Sequence, residues 1–399
     1  MVKVAVLGYG TVGSGVVQII DDNNALIKER IGDDIEVKYI LDLRDFPGDK
    51  NEAKVVHDYN IILNDPEISI VCETMGGVKP AYQFSKDALE AGKSVCTSNK
   101  ELVENYGPEL IKTARANNCN YLFEASVGGG IPIIRPMNTS LVPENIQRIM
   151  GILNGTTNYI LTKMAKEGAD YADVLKEAQD LGYAERNPEA DVEGHDAGRK
   201  IAILSSLMTG KTVKFADVHT EGITGIDTVD FEYAHACGKS IKLLATSEQT
   251  DAGYVAMVAP FMIGADHPLN GVNGVFNAVY VTGNMLGDVM FYGQGAGKLA
   301  TASAVVSDVC ECARNVGRTL PCVWSEEKLE LADPSASVRK FFVRVKAEGE
   351  NSVADVFKDA EKIRVKDGEF AFVTGEMSEA DFKLKLESVN GVIKSIRLA

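Results

Sequence analysis

The sequence predicts an α/β protein that opens on a parallel sheet with helices on both faces and continues into α+β parts. Three observations predict it. Short apolar segments alternate with helical ones as far as Glu124. Those segments are continuously apolar, as strands buried on both faces are. A glycine-rich turn joins the first strand to the first helix. After Pro132 the rhythm changes, and helices and strands fall into separate groups.

Residues 2–7 (Val-Lys-Val-Ala-Val-Leu) form the first strand, and Val16, Val17, Ile19 and Ile20 give the next helix an apolar face. The apolar segment 35–41 is the second strand. Residues 51–63 read as helix, 68–72 as strand, 80–91 as helix, 94–97 as strand, 101–116 as helix and 121–124 as strand. Helical segments then span 156–166, 171–182 and 193–208, and strand-like runs follow at 254–263, 275–282 and 289–292. Gly293-Gln294-Gly295-Ala296-Gly297 precedes a helix over 300–316. Residues 331–337 read as a linker. The last stretch alternates strand, helix, strand, helix, strand over 340–345, 352–360, 370–373, 379–387 and 392–397.

The 399 residues are enough for two or three domains, and 45% hydrophobic residues fill real cores, which excludes disorder over the bulk of the chain. No apolar run is long enough for a membrane span, so no membrane partner is expected. With 41 Lys and Arg against 57 Asp and Glu the net charge is −16, the opposite of a nucleic-acid footprint. The amino terminus enters a strand pattern without an export signal, and the seven cysteines lack a Cys-x-x-Cys pair. They read as reduced thiols, and the expected location is cytoplasmic.

Gly8, Gly10 and Gly13 fit G-x-G-x-x-G directly after a strand and at the head of a helix. The first glycine permits the tight turn, the second lets backbone approach a pyrophosphate, and the third lets helix and strand pack closely. At the first strand of an alternating α/β region, this predicts a Rossmann-type domain that binds NAD or NADP. Asp42, at the end of the second strand, suits a ribose hydroxyl and hence NAD, whereas Arg44 suits a 2′-phosphate and hence NADP. The sequence leaves both open.

Two groups of charges stand in unusual places. Ser98 and Glu101 make a capping box, which puts Lys100 in the first turn of a helix, where the dipole disfavours a cation. An anionic group bound at the carboxyl ends of the strands accounts for such a lysine. At helical spacing, Glu193, Asp196, Lys200, Ile203 and Leu207 share one stripe, so Asp196 and Lys200 continue an apolar face. A lysine partly buried in this way suits proton transfer. His195 lies one step off the stripe and reads as a packed or solvated residue.

These segments together resemble homoserine dehydrogenase. The resemblance is carried by GYGTVG at 8–13, ETMGG at 73–77, TSNKEL at 97–102 and FEASVGGGIPIIRP at 123–136. GILNGTTNYIL at 151–161, EAQDLGYAERNPEADVEGHDAGRKIAIL at 177–204 and GAGKLATASAVVSD at 295–308 complete it, over about residues 1–320. It implies NAD(P)-dependent interconversion of L-homoserine and L-aspartate 4-semialdehyde, in the route to threonine, methionine and isoleucine. It assigns proton transfer to Lys200, oriented by Asp196, and places Lys100 beside nicotinamide and substrate. Glu185 matches the residue that holds the substrate amino group, and Asp191 belongs to the same pocket. Gly8, Gly10, Thr11, Val12 and Gly13 would meet the pyrophosphate. Thr74 and Ser98 would line the nicotinamide, and Gly297 would close over the cofactor. The resemblance also implies a sodium or potassium site made by Glu124 and the carbonyls of Val127, Gly129 and Ile131. A homodimer or homotetramer is expected.

The expected domains are 1–133 with 303–320 for the dinucleotide, 134–302 for substrate and dimerisation, and an ACT-like tail at 337–399. The chain departs from the family pattern twice. Ala300 replaces the usual proline of the late GAG motif, and Glu348-Gly349-Glu350-Asn351 replaces the acidic-x-Pro-Gly turn of the tail. Feedback, assembly and a vestigial role stay open for that tail. A non-catalytic NAD(P)-sensing regulator acting through it is the alternative function. Retention of Lys100, Glu185, Asp196 and Lys200 together speaks against that alternative.

Overall fold

A computed structural model describes residues 1–358 and 360–399. They form two compact units: Met1–Glu144 with Ala202–Lys214 and Gly293–Leu329, and Asn145–Ile201 with Phe215–Tyr292 and Glu330–Ala399.

The first unit holds six strands: β1 (Val2–Leu7), β2 (Ile35–Leu41), β3 (Val55–Val56), β4 (Ile68–Glu73), β5 (Ser94–Thr97) and β6 (Tyr121–Leu122). They pair in the order β3-β2-β1-β4-β5-β6, and every pairing is parallel. This is the doubly wound order of a Rossmann sheet, which reverses direction between β1 and β4 and opens a crevice at the carboxyl ends there. One face is sealed by Val16, Val17 and Ile20 of the Thr11–Asp22 helix and by Ala302, Val305, Val309 and Cys312 of the Lys298–Arg314 helix. All seven cysteines carry free thiols, and those of Cys72, Cys96, Cys119 and Cys312 are buried.

Two expectations need correction here. The segment 51–63 is not one helix but a 3-10 turn (Glu52–Lys54), the strand β3 and a short helix (Tyr59–Leu63). Val55 and Val56 are β-branched and find an open sheet edge at Ile40 and Leu41, and Asp58 then caps the helix by accepting the Asn60 N–H. The strand at 121–124 stops at Leu122, because the chain turns into a 3-10 segment at Glu124–Ser126.

The second unit is built on a mixed sheet. Its strands are β7 (Ile146–Ile152), β8 (His219–Thr220), β9 (Lys239–Thr250), β10 (Gly253–Gly264), β11 (Phe276–Gly283) and β12 (Gly287–Gln294). From the tail come β13 (Val338–Arg339), β14 (Phe341–Lys346), β15 (Glu369–Val373), β16 (Met377–Ser378) and β17 (Val392–Leu398). The order is β12-β11-β7-β9-β10-β17-β14-β15, with β8 beside β10 and a separate β13-β16 pair. The sequence reading passes over β7 and β9. In β9 the reason is Lys242, a buried lysine that breaks the apolar run. Its ammonium donates to the Val272 carbonyl at 2.6 Å and to Asn273 Oδ1 at 3.0 Å.

The tail has its own core, including Phe341, Phe370, Phe372 and Phe382, with the Phe341 and Phe382 rings stacked 3.9 Å apart. Its last strand, β17, runs antiparallel to β14 and parallel to β10, pairing Arg397 with Phe261. The tail therefore continues the sheet of the second unit. Among the described residues, no helix is long and apolar enough to cross a membrane.

Candidate active site

The glycine turn sits at the carboxyl end of β1. Gly8 has φ +89°, a conformation that favours glycine, and its N–H donates to the Leu41 carbonyl at 2.8 Å. A Cβ on Gly13 would stand 1.9 Å from the Gly8 carbonyl oxygen and 2.8 Å from Thr74 Oγ1. A Cβ on Gly10 would meet nothing within 4 Å, so the turn leaves an open cradle at the head of the helix that starts at Thr11. That cradle fits a pyrophosphate. Val12 follows in the helix, and the Thr74 hydroxyl pins the turn by donating to the Leu7 and Gly8 carbonyls at 2.9 and 3.0 Å. Gly13→Ala is expected to lower stability by the ~1–3 kcal/mol of an overpacked site. Dinucleotide affinity should fall about tenfold, which is ~1.4 kcal/mol. Thermal melting and a fluorescence titration check both.

Asp42 closes β2 with both oxygens engaged. Oδ2 accepts the Tyr9 N–H at 2.8 Å and Arg44 Nη2 at 3.0 Å, and Oδ1 accepts Arg44 Nε at 2.9 Å and the Arg44 N–H at 3.0 Å. The Arg44 guanidinium holds this carboxyl far below the usual carboxylate range. Arg44 itself is 63% exposed and faces outward over Phe46. Asp42, Arg44, His57 and Tyr59 border a cleft of about 420 Å³ next to Gly8.

The Lys100–Ala116 helix begins where expected, but its cap differs. Asn99, not Ser98, is the N-cap: its Oδ1 accepts the Leu102 N–H at 3.0 Å. Asn outranks a serine one residue earlier because its side chain reaches the third N–H of the helix. Lys100 is still the first helical residue. Ser98 hangs beneath it, its N–H donating to the Glu73 carbonyl. Gly297, at φ +116°, precedes the Lys298–Arg314 helix, in which Ala300 occupies the first turn.

Glu124 is buried, and its carboxylate accepts the N–H groups of Ile133, Ile134 and Arg135 at 2.6, 2.8 and 2.6 Å. Burial pushes its pKa up, and these three amides pull it back. Val127, Gly129 and Ile131 lie on the turn between them, where Gly129 has φ +56° and approaches Gly295 too closely to carry a Cβ. Among the described residues, no three His, Cys, Asp or Glu side chains are grouped to hold a metal ion.

The second unit assembles the other cluster. Lys200 donates to the Leu153 carbonyl at 2.6 Å and to Asp196 Oδ2 at 2.7 Å, and both side chains are about nine-tenths buried. Asn154 caps the Gly155–Glu167 helix by accepting the Thr157 N–H with its Oδ1. Its amide donates to Asp191 Oδ1 at 2.7 Å and to Asp196 Oδ2 at 2.9 Å. One asparagine thus bridges the Asp191 and Asp196 carboxylates, the second of which holds the Lys200 ammonium. The sequence reading missed Asn154, although an asparagine directly before an apolar helix is a legible cap. Glu185 is exposed, and its carbonyl accepts from Gln179. His195 packs edge-on against Phe215, as a packed residue should.

A doubly wound sheet with this cradle, and a lysine clamped between a carbonyl and a carboxylate, define a nicotinamide-dependent dehydrogenase. Residues 8–124 match the homoserine dehydrogenase NAD-binding domain, and residues 132–310 match homoserine dehydrogenase. A homoserine dehydrogenase of Bacillus subtilis is 39% identical over 98% of this chain and 95% of its own length. One from Synechocystis is 49% identical over 77% of this chain and 72% of its own length. The crystal structure of a homoserine dehydrogenase from Thiobacillus denitrificans superposes with a TM-score of 0.89 at 33% identity, covering 100% of this chain and 98% of that one. The chain belongs to the homoserine dehydrogenase family, whose members are NAD(P)-dependent oxidoreductases. These likenesses lend nothing to the reading as a sensor without turnover.

Proposed function

We propose that the chain interconverts L-homoserine and L-aspartate 4-semialdehyde in the route to threonine, methionine and isoleucine. The observation that carries the proposal is the Lys200 clamp. An ammonium has three donors. Two are held by Leu153 and Asp196, which aims the third at a substrate oxygen. Lys200 gives and takes the proton of that oxygen, and Asp196 orients it. Glu185 and Asp191 receive the substrate ammonium, and Lys100 offsets the negative charge that develops on the oxygen. The nicotinamide ring supplies or accepts the hydride when the cofactor is bound. Gly8, Gly10, Thr11, Val12 and Gly13 seat its pyrophosphate, Thr74 and Ser98 line the ring, and Gly297 closes over it.

All four lone-pair sites of Asp42 are taken, so a ribose hydroxyl has to displace Arg44 to reach them. This favours NADP, with Arg44 on the 2′-phosphate. Arg44→Ala is then expected to lower the NADP-to-NAD ratio of kcat/KM about tenfold, or ~1.4 kcal/mol. Steady-state rates with both cofactors check it.

Glu124 keeps one lone-pair site after its three amides. With the carbonyls of Val127, Gly129 and Ile131, that suits sodium or potassium, which prefer hard oxygen. Assembly as a homodimer or homotetramer is supported by the β12 edge, where Met290 and Tyr292 are exposed beside the Met285-Leu286 turn. The division into dinucleotide, substrate and ACT-like parts and a cytoplasmic location complete the proposal.

The test follows nicotinamide absorbance with L-homoserine, using NAD and NADP, with and without sodium or potassium. Turnover is expected, faster with NADP. Cofactor binding without turnover overturns the proposal.

A further inference from the structure

Glu73, the last residue of β4, is completely buried, and no role above uses it. A carboxyl group buried at the end of an apolar strand is costly unless it is bonded. Its bonds come from neutral donors on two segments. The Thr97 hydroxyl at the end of β5 donates to Oε2 at 2.5 Å, and the Met75 N–H donates to Oε1 at 2.8 Å. The same segments are tied to one another. Thr97 Oγ1 accepts the Asn99 N–H at 2.9 Å, and Asn99 Nδ2 donates to the Gly77 carbonyl at 2.6 Å. The Glu73 carbonyl accepts the Ser98 N–H. One residue therefore joins the 74–77 loop to the 98–99 turn between β5 and the Lys100–Ala116 helix, and these segments carry Thr74 and Ser98 and set the position of Lys100.

We propose that Glu73 is a positioning residue for hydride transfer, holding those two segments in the one arrangement that presents Thr74, Ser98 and Lys100 to nicotinamide and substrate. The proposal rests on the reading of those three residues given above. Burial pushes the Glu73 carboxyl up to about 7, against the hydrogen bonds from Thr97 and Met75. Of the ionisable groups around it, the Tyr121 phenol on β6 faces it and is itself raised by burial and then by Glu73. Lys100 starts the helix that Asn99 caps, and the thiols of Cys72 and Cys96 precede Glu73 and Thr97 on their strands. The ionised carboxylate accepts the Thr97 hydroxyl and the Met75 N–H at once, one on each oxygen. A protonated carboxyl has to turn one oxygen into a donor and loses a contact. Turnover therefore rises as pH passes upward through about 7, because the segments are then fully tied.

The test compares wild type with Glu73→Gln and Thr97→Val for kcat, cofactor KM, melting temperature and the pH profile of kcat. Glu73→Gln is expected to lower kcat about tenfold to a hundredfold, the scale of a misplaced reacting group, and to abolish the bend near neutrality. Its melting temperature should stay near that of wild type. Wild-type kcat with the bend intact overturns the proposal, and so does a loss of activity that only tracks loss of folded protein. If Glu73→Gln does not fold, Thr97→Val decides: it keeps the carboxyl and removes a donor, and an unchanged kcat overturns the proposal. A wild-type profile without a bend overturns it as well. Lys100→Ala and Ser98→Ala are measured alongside. If they leave turnover unchanged, the reading of the crevice fails; if they lower it while Glu73→Gln does not, the Glu73 proposal alone fails.

Discussion

Lys200→Ala is expected to lower kcat by about two to four decades while cofactor affinity stays near its wild-type value, the range of a lost general acid–base. The asymmetry follows from contacts. Lys200 bonds the Leu153 carbonyl and Asp196, and the glycine turn, Asp42 and Arg44 have their own partners. Asp196→Asn should fall less than Lys200→Ala, since the amide keeps one acceptor for the ammonium but loses its charge. A stopped-flow measurement of the first turnover, run with a cofactor titration, separates the chemical step from binding. If Lys200→Ala keeps wild-type turnover, the proton-transfer group lies elsewhere.

The second large effect concerns stability. Arg397 is buried and makes two forked bridges, to Glu379 at 2.8 and 2.6 Å and to Glu221 at 2.8 Å on both oxygens. Arg397→Ala leaves the Glu379 carboxylate, 2% exposed, without its guanidinium and with only the exposed Lys383 ammonium at 3.0 Å. Breaking a buried pair from one side costs about 3–5 kcal/mol. That is a large part of the ~5–15 kcal/mol that holds a typical domain folded. The same cluster sets a response to acid. Burial pushes Glu221 up, but bonds from His219 and Arg397 outweigh it and hold the carboxyl at about 2, below its ordinary 4.5. Glu379 is lowered in the same sense, against its burial, by Arg397. A depressed carboxylate stabilises the folded state fully above its unfolded pKa and loses that contribution as pH falls towards the folded value. Wild type should therefore lose stability between about pH 4.5 and 2, and Arg397→Ala should show a flatter dependence over that window. Urea melts at a series of pH values check the sign.

Local pattern carries much of the first unit. β1, β4 and β5 are rich in Val, Ile, Leu and Cys and read as buried strands without a partner, whereas β2 interrupts its apolar residues with Glu36 and Lys38 and is only half buried; the glycine spacing marks the carboxyl end of β1. Lys100 and Lys200 are legible because each breaks a local rule, the first against the helix dipole and the second on an apolar stripe. What escapes is set by distant partners. β3 forms because Ile40 and Leu41 offer an edge, and β9 tolerates Lys242 because the 272–273 loop brings oxygen to it. Asn154 and Glu73 also bond side chains far along the chain, Asp191 and Asp196 for the first and Thr97 for the second, and those partners cannot be read from neighbouring residues.

Through the pairing of β17 with β10 the tail protects the sheet that it extends. A polypeptide ended before residue 337 would leave Phe261 and Met262 of β10 without their neighbour, and Glu221 without Arg397. An uncovered strand of that composition is a template for aggregation. The tail therefore closes this edge of the sheet through its last strand, a role that needs no ligand. A chain without it would need charges or a proline on β10 to keep that edge from pairing with other strands.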